Sequence, residues 1–305
     1  MADRRETTRK SRKPLNSVIG IIVIAAVIMA GWYVTQGRNP LARAQEHVAV
    51  HFIDVGQGDA VLIAAHGQFM LIDGGNSGQE DNVINYLRRQ GVQHIDYLVA
   101  THPHSDHIGA LANGVIDAFP IGTILAPQLP PEITPTTRAY ENFLAAVRRA
   151  VQAGTTAQYA QVGREIALGN TQITILGPLR EDPRRLNNNS IVLRLDYGNT
   201  SALFTGDAER AAERDLAETY GRRLHVCLLH VGHHGSQTSS HDFFLRYAAP
   251  SYAVINVGLN NRYNHPRPEA MARLRNTDAT IYRTDIHGHV VMLSDGVRFW
   301  RASGQ

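Results

Sequence analysis

The chain has 305 residues, 43% of them hydrophobic, which is enough for one large domain and an appendage. Thirty Lys or Arg against 27 Asp or Glu give a formal net charge of +3, yet residues 1–44 hold eight of those cations and two of the acids, leaving 22 Arg and 25 acids for the remainder. The basic excess thus sits in the N-terminal tail and carries no nucleic-acid signature for the rest, while the single Cys227 excludes an internal disulfide and a thiolate-rich zinc finger.

Residues 1–14 form a basic tail and residues 15–35 an uncharged apolar run, SVIGIIVIAAVIMAGWYV at its heart, long enough to cross a bilayer as a helix. Arg and Lys before the span predict an N-terminus in the cytoplasm and everything after it outside a cytoplasmic membrane crossed once. Ala42-Arg43-Ala44 has the form of a cleavage site, which would release the domain as a secreted protein cut before about residue 45. The apolar run is longer than a signal core and the site lies far beyond its end, which selects an anchor. Residues 36–47, with Gly37 and Pro40, are a linker, and residues 48–305 are the domain.

Within it, short apolar runs ending in Gly or Asp predict buried strands: HVAVHFIDVGQGD, AVLIAA, FMLIDGG, IDYLVATH, ITILGP, SIVLRLDYG, SALFTGD, HVCLLHVG and YAVINVG. Cys227, inside one of them, is expected in the core. DNVINYLRRQG and RAYENFLAAVRRAVQAG have helical spacing, the second with Tyr140, Phe143, Leu144, Val147 and Val151 on one stripe. Residues 126–137 are a proline-rich loop, and His287-Gly288-His289 is a turn entering a strand. Strands and helices mixed at this density imply an α/β layered fold with helices on both outer faces. Asp73, His102, Asp207 and His233 each follow an apolar run, where such folds gather their chemistry.

THPHSDHIG places His102, His104, Asp106 and His107 within six residues, read as a strand end followed by a turn. Imidazole and carboxylate without thiolate make an N/O site for Zn, Mn or Fe. Four ligands are too many for one ion with an open position, so two ions are expected, His102 and His104 on one and Asp106 and His107 on the other. Asp207 after Gly206 suits a carboxylate shared between two cations, which would offset its burial. In His233-His234 strand geometry would send successive side chains to opposite sides, so one ligates. NRYNHPRPEAMARL predicts a loop and a helix from near Pro268, where Arg262, His265 and Arg267 with free N–H groups would suit a phosphate, or a solvated, proline-capped helix would suffice. Asp54, Gln57 and Asp59 either line the site or serve a Gly-flanked turn. His230, like His51 and the other histidines, lacks ligand spacing and is assigned a core or surface role.

THPHSDHIG resembles the HxHxDH signature of the metallo-β-lactamase fold superfamily, FMLIDGG its first motif ending in Asp73, and LFTGD its fourth. Together with NNNSIVLRL, HVGHHGSQTSS, NRYNHP and YRTDIHG, these are similar to the outer domain of ComEC-type competence proteins and their stand-alone membrane-anchored relatives. The resemblance runs from His51 to Gly288 and implies a four-layer αββα sandwich. It assigns His234 to the second ion, His233 to substrate as proton donor or oxyanion stabiliser, Asp73 and Asp59 to support of the ligands, and Asn189, Ser190 and His265 to substrate. No histidine lies between His107 and Asp207 to complete the first site; NNNS stands there, which implies a loosely held first ion and makes Mn as credible as Zn. The competence channel needs many spans and does not carry over.

The expectation is an outward-facing phosphodiesterase or nuclease with two divalent ions, attack by a metal-bound hydroxide oriented by Asp106, and a phosphodiester or single-stranded DNA as substrate. Hydrolysis of a lactone, thioester or β-lactam on the same metal pair is the first alternative. An exported binding module with one structural ion is the second, and the retention of nearly all ligands argues against it.

Overall fold

The computed structural model describes residues 47–303. The span expected at 15–35, with the tail and nearly all of the linker, lies outside the described residues. Among those described, no helix is long and apolar enough to cross a membrane.

Two sheets form the framework. The first carries β1 (Val48–Phe52), β2 (Val61–Ala65), β3 (Gln68–Ile72), β4 (Ile95–Val99), β5 (Ile121–Ala126) and β6 (Thr156–Tyr159), flanked by β14 (Val290–Ser294) and β15 (Phe299–Arg301). Its order is β15-β14-β1-β2-β3-β4-β5-β6. The second contains β7 (Glu165–Leu168), β8 (Thr171–Gly177), β9 (Val192–Tyr197), β10 (Thr200–Phe204), β11 (Leu228–His230), β12 (Tyr252–Ile255) and β13 (Thr280–Arg283), in the order β13-β12-β11-β10-β9-β8-β7. In both, one half is antiparallel and the other parallel, from β3 to β6 and from β10 to β13.

The period of two along each strand builds the layers. Val48, Val50 and Phe52 meet Leu193, Leu195, Ala202 and Phe204 between the sheets. Ala49, Leu62 and Leu71 face the opposite way, against α1 (Glu80–Arg89), α2 (Ser105–Ala110) and α3 (Arg138–Gln152). On the far side Leu203, Leu229 and Ile255 pack on α4 (Arg210–Tyr220), α5 (Asp242–Ala248) and α6 (Pro268–Arg275). The result is the expected helix–sheet–sheet–helix order. Strands covered on both faces read as near-continuous apolar runs, which is why they were visible in the sequence.

Three local expectations differ from the structure. The buried face of α3 is Phe143, Ala146 and Ala150, and Val151 is 46% exposed; the small Ala side chains turn toward the neighbouring structure and rotate the stripe away from Val151. Cys227 is half-buried, since it precedes β11 at the edge of the inter-sheet core. His102 and His104 lie beyond the end of β4, with His104 in the capping position of α2.

Candidate dinuclear metal centre

The site forms where the parallel halves of both sheets end. β3 delivers Asp73, the loop after β4 delivers His102 and His104, α2 delivers Asp106 and His107, β10 delivers Asp207, and the turn after β11 delivers His233 and His234. One glycine position lets the segments touch. Gly58, at φ +145°, lies against the Asp106 carbonyl, where a Cβ would collide. That carbonyl accepts the Asp59 N–H at 3.1 Å, and the His107 carbonyl accepts the Gly74 N–H at 2.8 Å.

His102, His104 and Asp207 can share one ion, and Asp106, His107 and His234 another, their ligand atoms within 4.8 Å of one another in each group. This is the division expected from spacing. Asp207 joins the two groups: Oδ2 lies 3.5 Å from His102 Nε2, while Oδ1 lies 3.3 Å from His107 Nε2 and 3.7 Å from His234 Nε2. Asp207 Oδ1, His107 Nε2 and His234 Nε2 are buried, convergent and without a hydrogen-bond partner. Buried polar atoms are rarely left so, and a divalent cation bound by N/O donors would satisfy all three. The residues therefore fit a metal pair.

Their ring orientations are set from behind. Asp73, itself in the left-handed region at φ 57°, takes the Thr101 N–H on Oδ1 at 2.8 Å and the Thr101 hydroxyl on Oδ2 at 2.6 Å. The same Oδ2 accepts from His107 Nδ1 at 2.7 Å, which turns Nε2 to the site. His234 Nδ1 donates to the Asn256 carbonyl at 3.0 Å and stands 3.1 Å from Asp59 Oδ1. Such partners hold a metal-binding imidazole in one tautomer and raise its basicity.

Charge follows the same geometry. Burial disfavours the protonated form of His107, but Asp207 and Asp73 overrule it and hold its pKa well above the ordinary value; burial is likewise overruled at His234 by Asp59 and Asp207. Burial would raise Asp207, yet His233, His107, His234 and His102 hold it well below the carboxylate range. Burial and the adjacent His102 push His104 down to about 4. Carboxylates kept ionised beside imidazoles form the charge pattern a cation requires.

His233 and His234 diverge for a different reason than alternation. Both occupy the left-handed region, φ 51° and 53°, in a short turn. His234 is buried on Asp59, whereas His233 is half-buried with Nε2 3.6 Å from Asp207 Oδ2 and Nδ1 3.4 Å from Glu209 Oε1. The site opens into a cavity of about 450 Å³ with His104, Asp106, Asp207, His233 and His234 on its floor and Pro135, Tyr263 and His265 on its rim. Gln57 also lines it, and its Oε1 accepts the Gly258 N–H at 3.2 Å. Asp54 instead closes its own turn, accepting the Gly56 N–H at 3.1 Å.

Asn189 and Ser190 do not face this cavity, a correction to their expected contact with substrate. Asn189 is fully buried and its amide ties residues 182–185 together, donating to the Asp182 and Arg185 carbonyls at 2.9 Å. Ser190 Oγ accepts the Asp207 N–H at 3.1 Å and so holds the shared carboxylate. The residue of NNNS that reaches the site is Asn187, its amide 3.2 Å from Glu209 Oε1 and 3.4 Å from His233 Nδ1. Arg262, His265 and Arg267 do not converge: Arg262 stacks on Tyr263, and the Arg267 N–H donates to the Gly235 carbonyl at 2.8 Å.

Three contributors were not expected at the site, His230 among them as a residue given only a core or surface role. His230 is buried with its Nε2 3.4 Å from Asp59 Oδ1, a position strand spacing alone could not assign. Glu209 lies two residues beyond Asp207 in GDAE, and Thr101 opens THPHSDH; in both, adjacency to a ligand was the available signal.

A family model described as the metallo-beta-lactamase superfamily matches residues 53–258. ComE operon protein 3 of Bacillus subtilis is 28% identical over 79% of this chain and 32% of its own length. Recombination protein 2 of Haemophilus influenzae is 31% identical over 79% and 28%, and competence protein ComA of Neisseria gonorrhoeae 30% identical over 88% and 35%. The chain thus spans about a third of the length of the curated relatives it matches. Among solved structures, the metallo-beta-lactamase fold protein YhfI of Bacillus subtilis is similar in fold, with TM-score 0.51 and 14% identity over 81% of this chain and all of that one. With the motif order, the two-sheet sandwich and the match over most of the domain in agreement, the chain belongs to the metallo-beta-lactamase superfamily.

Proposed function

We propose that this chain is a metal-dependent phosphodiesterase, acting on nucleic acid outside a cytoplasmic membrane to which residues 15–35 anchor it. The single observation carrying the reading is the divided Asp207 carboxylate, each oxygen turned to a different histidine group. That arrangement would let one carboxylate help hold two adjacent divalent ions, with His102 and His104 on one side and Asp106, His107 and His234 on the other. Zn or Mn bound there would supply Lewis acidity and lower the pKa of a coordinated water to about 7.

The chain's own residues do the rest. Asp106, whose Oδ2 lies 3.4 Å from His234 Nε2 at the cavity floor, orients the attacking water. His233 is the proton donor to the departing oxygen: it is half-buried, on the cavity wall, and held between Asp207 and Glu209. Burial opposes its protonation, but those two carboxylates outweigh it and raise its pKa, which favours the proton-donating form. His265, pushed down to about 4 by burial and by His233 and His234, is neutral at the rim and offers a hydrogen bond to a non-bridging oxygen.

The names of the relatives, two concerned with competence or its operon and one with recombination, support nucleic acid over a lactone or thioester. The test is hydrolysis of bis-p-nitrophenyl phosphate and single-stranded DNA by the full chain with added Mn or Zn. His104→Ala should lose at least about 100-fold, since one ion loses a ligand from an already short set. Equal rates would overturn the mechanism. Protease accessibility of the domain in intact cells tests its side of the membrane.

A further inference from the structure

Beside the metal cavity lies a second, larger cleft of about 1030 Å³, and its walls are rich in arginine. Arg184 and Arg185 come from the loop after β8, Arg210 and Arg214 from α4, and Arg273 from α6. Facing them are Asp182, Glu209, Glu269 and His241. Glu209 is engaged by Arg185 at 3.2 Å, and Asp182 accepts from Asn188 Nδ2 at 2.7 Å and from the Arg184 N–H at 2.9 Å. His241 Nδ1 is 2.8 Å from Glu213 Oε2, outside the cleft wall.

Among the described residues, Arg184, Arg210, Arg214 and Arg273 have no carboxylate within ion-pair distance, although the domain as a whole carries more acids than arginines. Arg210 and Arg214, one helical turn apart, both lie over the Phe243 ring, at 5.7 and 5.8 Å. Stacking fixes the planes and leaves the N–H edges free. Arg273 spends its donors on the carbonyls of Gln237, Ser239 and Ser240, which fixes its charge in the wall without neutralising it.

The cleft adjoins the metal site through shared structure. Glu209 and Thr238 line the cleft and touch His233, with Thr238 Oγ1 3.2 Å from His233 Nδ1, and Arg185 precedes Leu186, which lines the metal cavity. A cleft wall in which five guanidiniums outnumber three carboxylates, with Arg210, Arg214 and Arg273 held in place, beside the proposed phosphodiester-cleaving centre has the chemistry of a phosphate-binding surface.

We propose that this cleft is an accessory binding site for the phosphate backbone of a single nucleic-acid strand, holding the part of the substrate that extends from the metal centre past His233. The inference rests on the phosphodiesterase reading for its substrate class, but its binding test does not require turnover.

Fluorescence anisotropy with a labelled single-stranded 20-mer, on the full chain in detergent with EDTA, measures binding alone. The Arg184→Gln/Arg210→Gln/Arg214→Gln variant should bind at least about tenfold more weakly near 0.1 M salt. Its log K against log salt should be flatter by about 2, three lost phosphate contacts at about 0.7 each. A matched variant of exposed arginines elsewhere, Arg148→Gln/Arg222→Gln/Arg275→Gln, should bind as wild type does. Arg184→Gln alone, whose side chain makes no recorded hydrogen bond, provides a smaller loss should the triple variant fold poorly. Equal losses in the two triple variants, an unchanged salt slope, or equal binding of poly-glutamate would overturn the proposal. Hydrolysis of bis-p-nitrophenyl phosphate by the wild type is read separately: turnover with no loss on arginine substitution refutes the cleft and spares the enzyme, while specific strand binding with no turnover does the reverse.

Discussion

Gly109, the residue after His107 and Ile108, has no need of glycine's backbone freedom, because it lies inside α2. It is glycine because of what it touches. A Cβ there would stand 2.9 Å from the Asn76 carbonyl carbon and from Ser77 Oγ, and closer still to Ser77 N. Ordinary carbon contacts are about 3.5–4 Å, so Gly109→Ala must separate α2 from the 73–78 loop by about 1 Å. The loop cannot yield alone: Gly74 N–H bonds the His107 carbonyl at 2.8 Å, Ala110 N–H the Gly75 carbonyl at 3.1 Å, and Gly75 N–H the Asp59 carbonyl at 2.7 Å. Overpacking costs about 1–3 kcal/mol, and the better helix propensity of Ala returns about 1 kcal/mol, so stability should fall by no more than about 2 kcal/mol. The site should suffer far more. α2 carries Asp106 and His107, metal–ligand distances tolerate about ±0.2 Å, and a misplacement of about 1 Å can cost about 100-fold. The assay pairs chelator competition for Mn or Zn with phosphodiester turnover and a thermal melt. A variant with wild-type metal affinity and a raised melting temperature would show that propensity, not contact, governs the position, and would refute the reasoning.

Asp73→Asn keeps the shape but presents an amide N–H to His107 Nδ1 once its oxygen takes the Thr101 N–H, which drives the ring proton to Nε2; metal affinity should drop about 10- to 100-fold, measurable by the same competition. Removing metal with EDTA should lower the melting temperature by about 10 °C relative to protein saturated near a thousand times Kd, since binding there contributes about 4 kcal/mol; no shift would exclude metal in the folded site. His51 is buried, bonded through Nδ1 to Tyr86 Oη at 2.9 Å, and burial with nearby His289 lowers its pKa from 6.5 to about 4. It is neutral in both states above pH 6.5; as pH falls toward 4 the unfolded chain binds a proton that the folded chain refuses, so stability present above 6.5 is lost by up to about 3 kcal/mol. His51→Gln should flatten that part of the stability-against-pH curve, and a constant difference from wild type between pH 7 and 4 would contradict it.

The parts of the fold legible in the sequence were those buried on both sides. β1, β2 and β3 alternate between two apolar layers, with only His51 and Gln68 polar among their residues, so their runs are nearly continuous. β6 is exposed along its whole length and β7 at every second residue, and neither produces an apolar run. They are strands because β5 and β8 supply hydrogen-bonding edges, a tertiary cause that local pattern does not carry. The α3 stripe shows the converse: periodicity marked the helix, but two alanines, which hydropathy ranks below valine, decided which face turned inward.

The site divides along the same line. His102, His104, Asp106 and His107 are dense in sequence because a single strand-to-helix connection delivers them, and local density is what a reader of sequence can see. Asp59, Asp207 and His234 come from separate segments and were legible through the short motifs that carry them, whereas His230 acquires its meaning only when β1 and β2 of one sheet are set against β10 and β11 of the other. His230 illustrates the limit. It ends β11 with ordinary strand spacing, and sits opposite Asp59 only because the two sheets pack face to face. Asp59 in turn faces His234 Nδ1 at 3.1 Å, so a carboxylate from one sheet steadies a ligand from the other. The sandwich is therefore part of the chemistry: it brings Asp59 within reach of His234 while the helix layer behind the first sheet holds Asp106 and His107 across from them. A change that slid one sheet over the other would alter both metal groups together, through the Asp207 carboxylate they share.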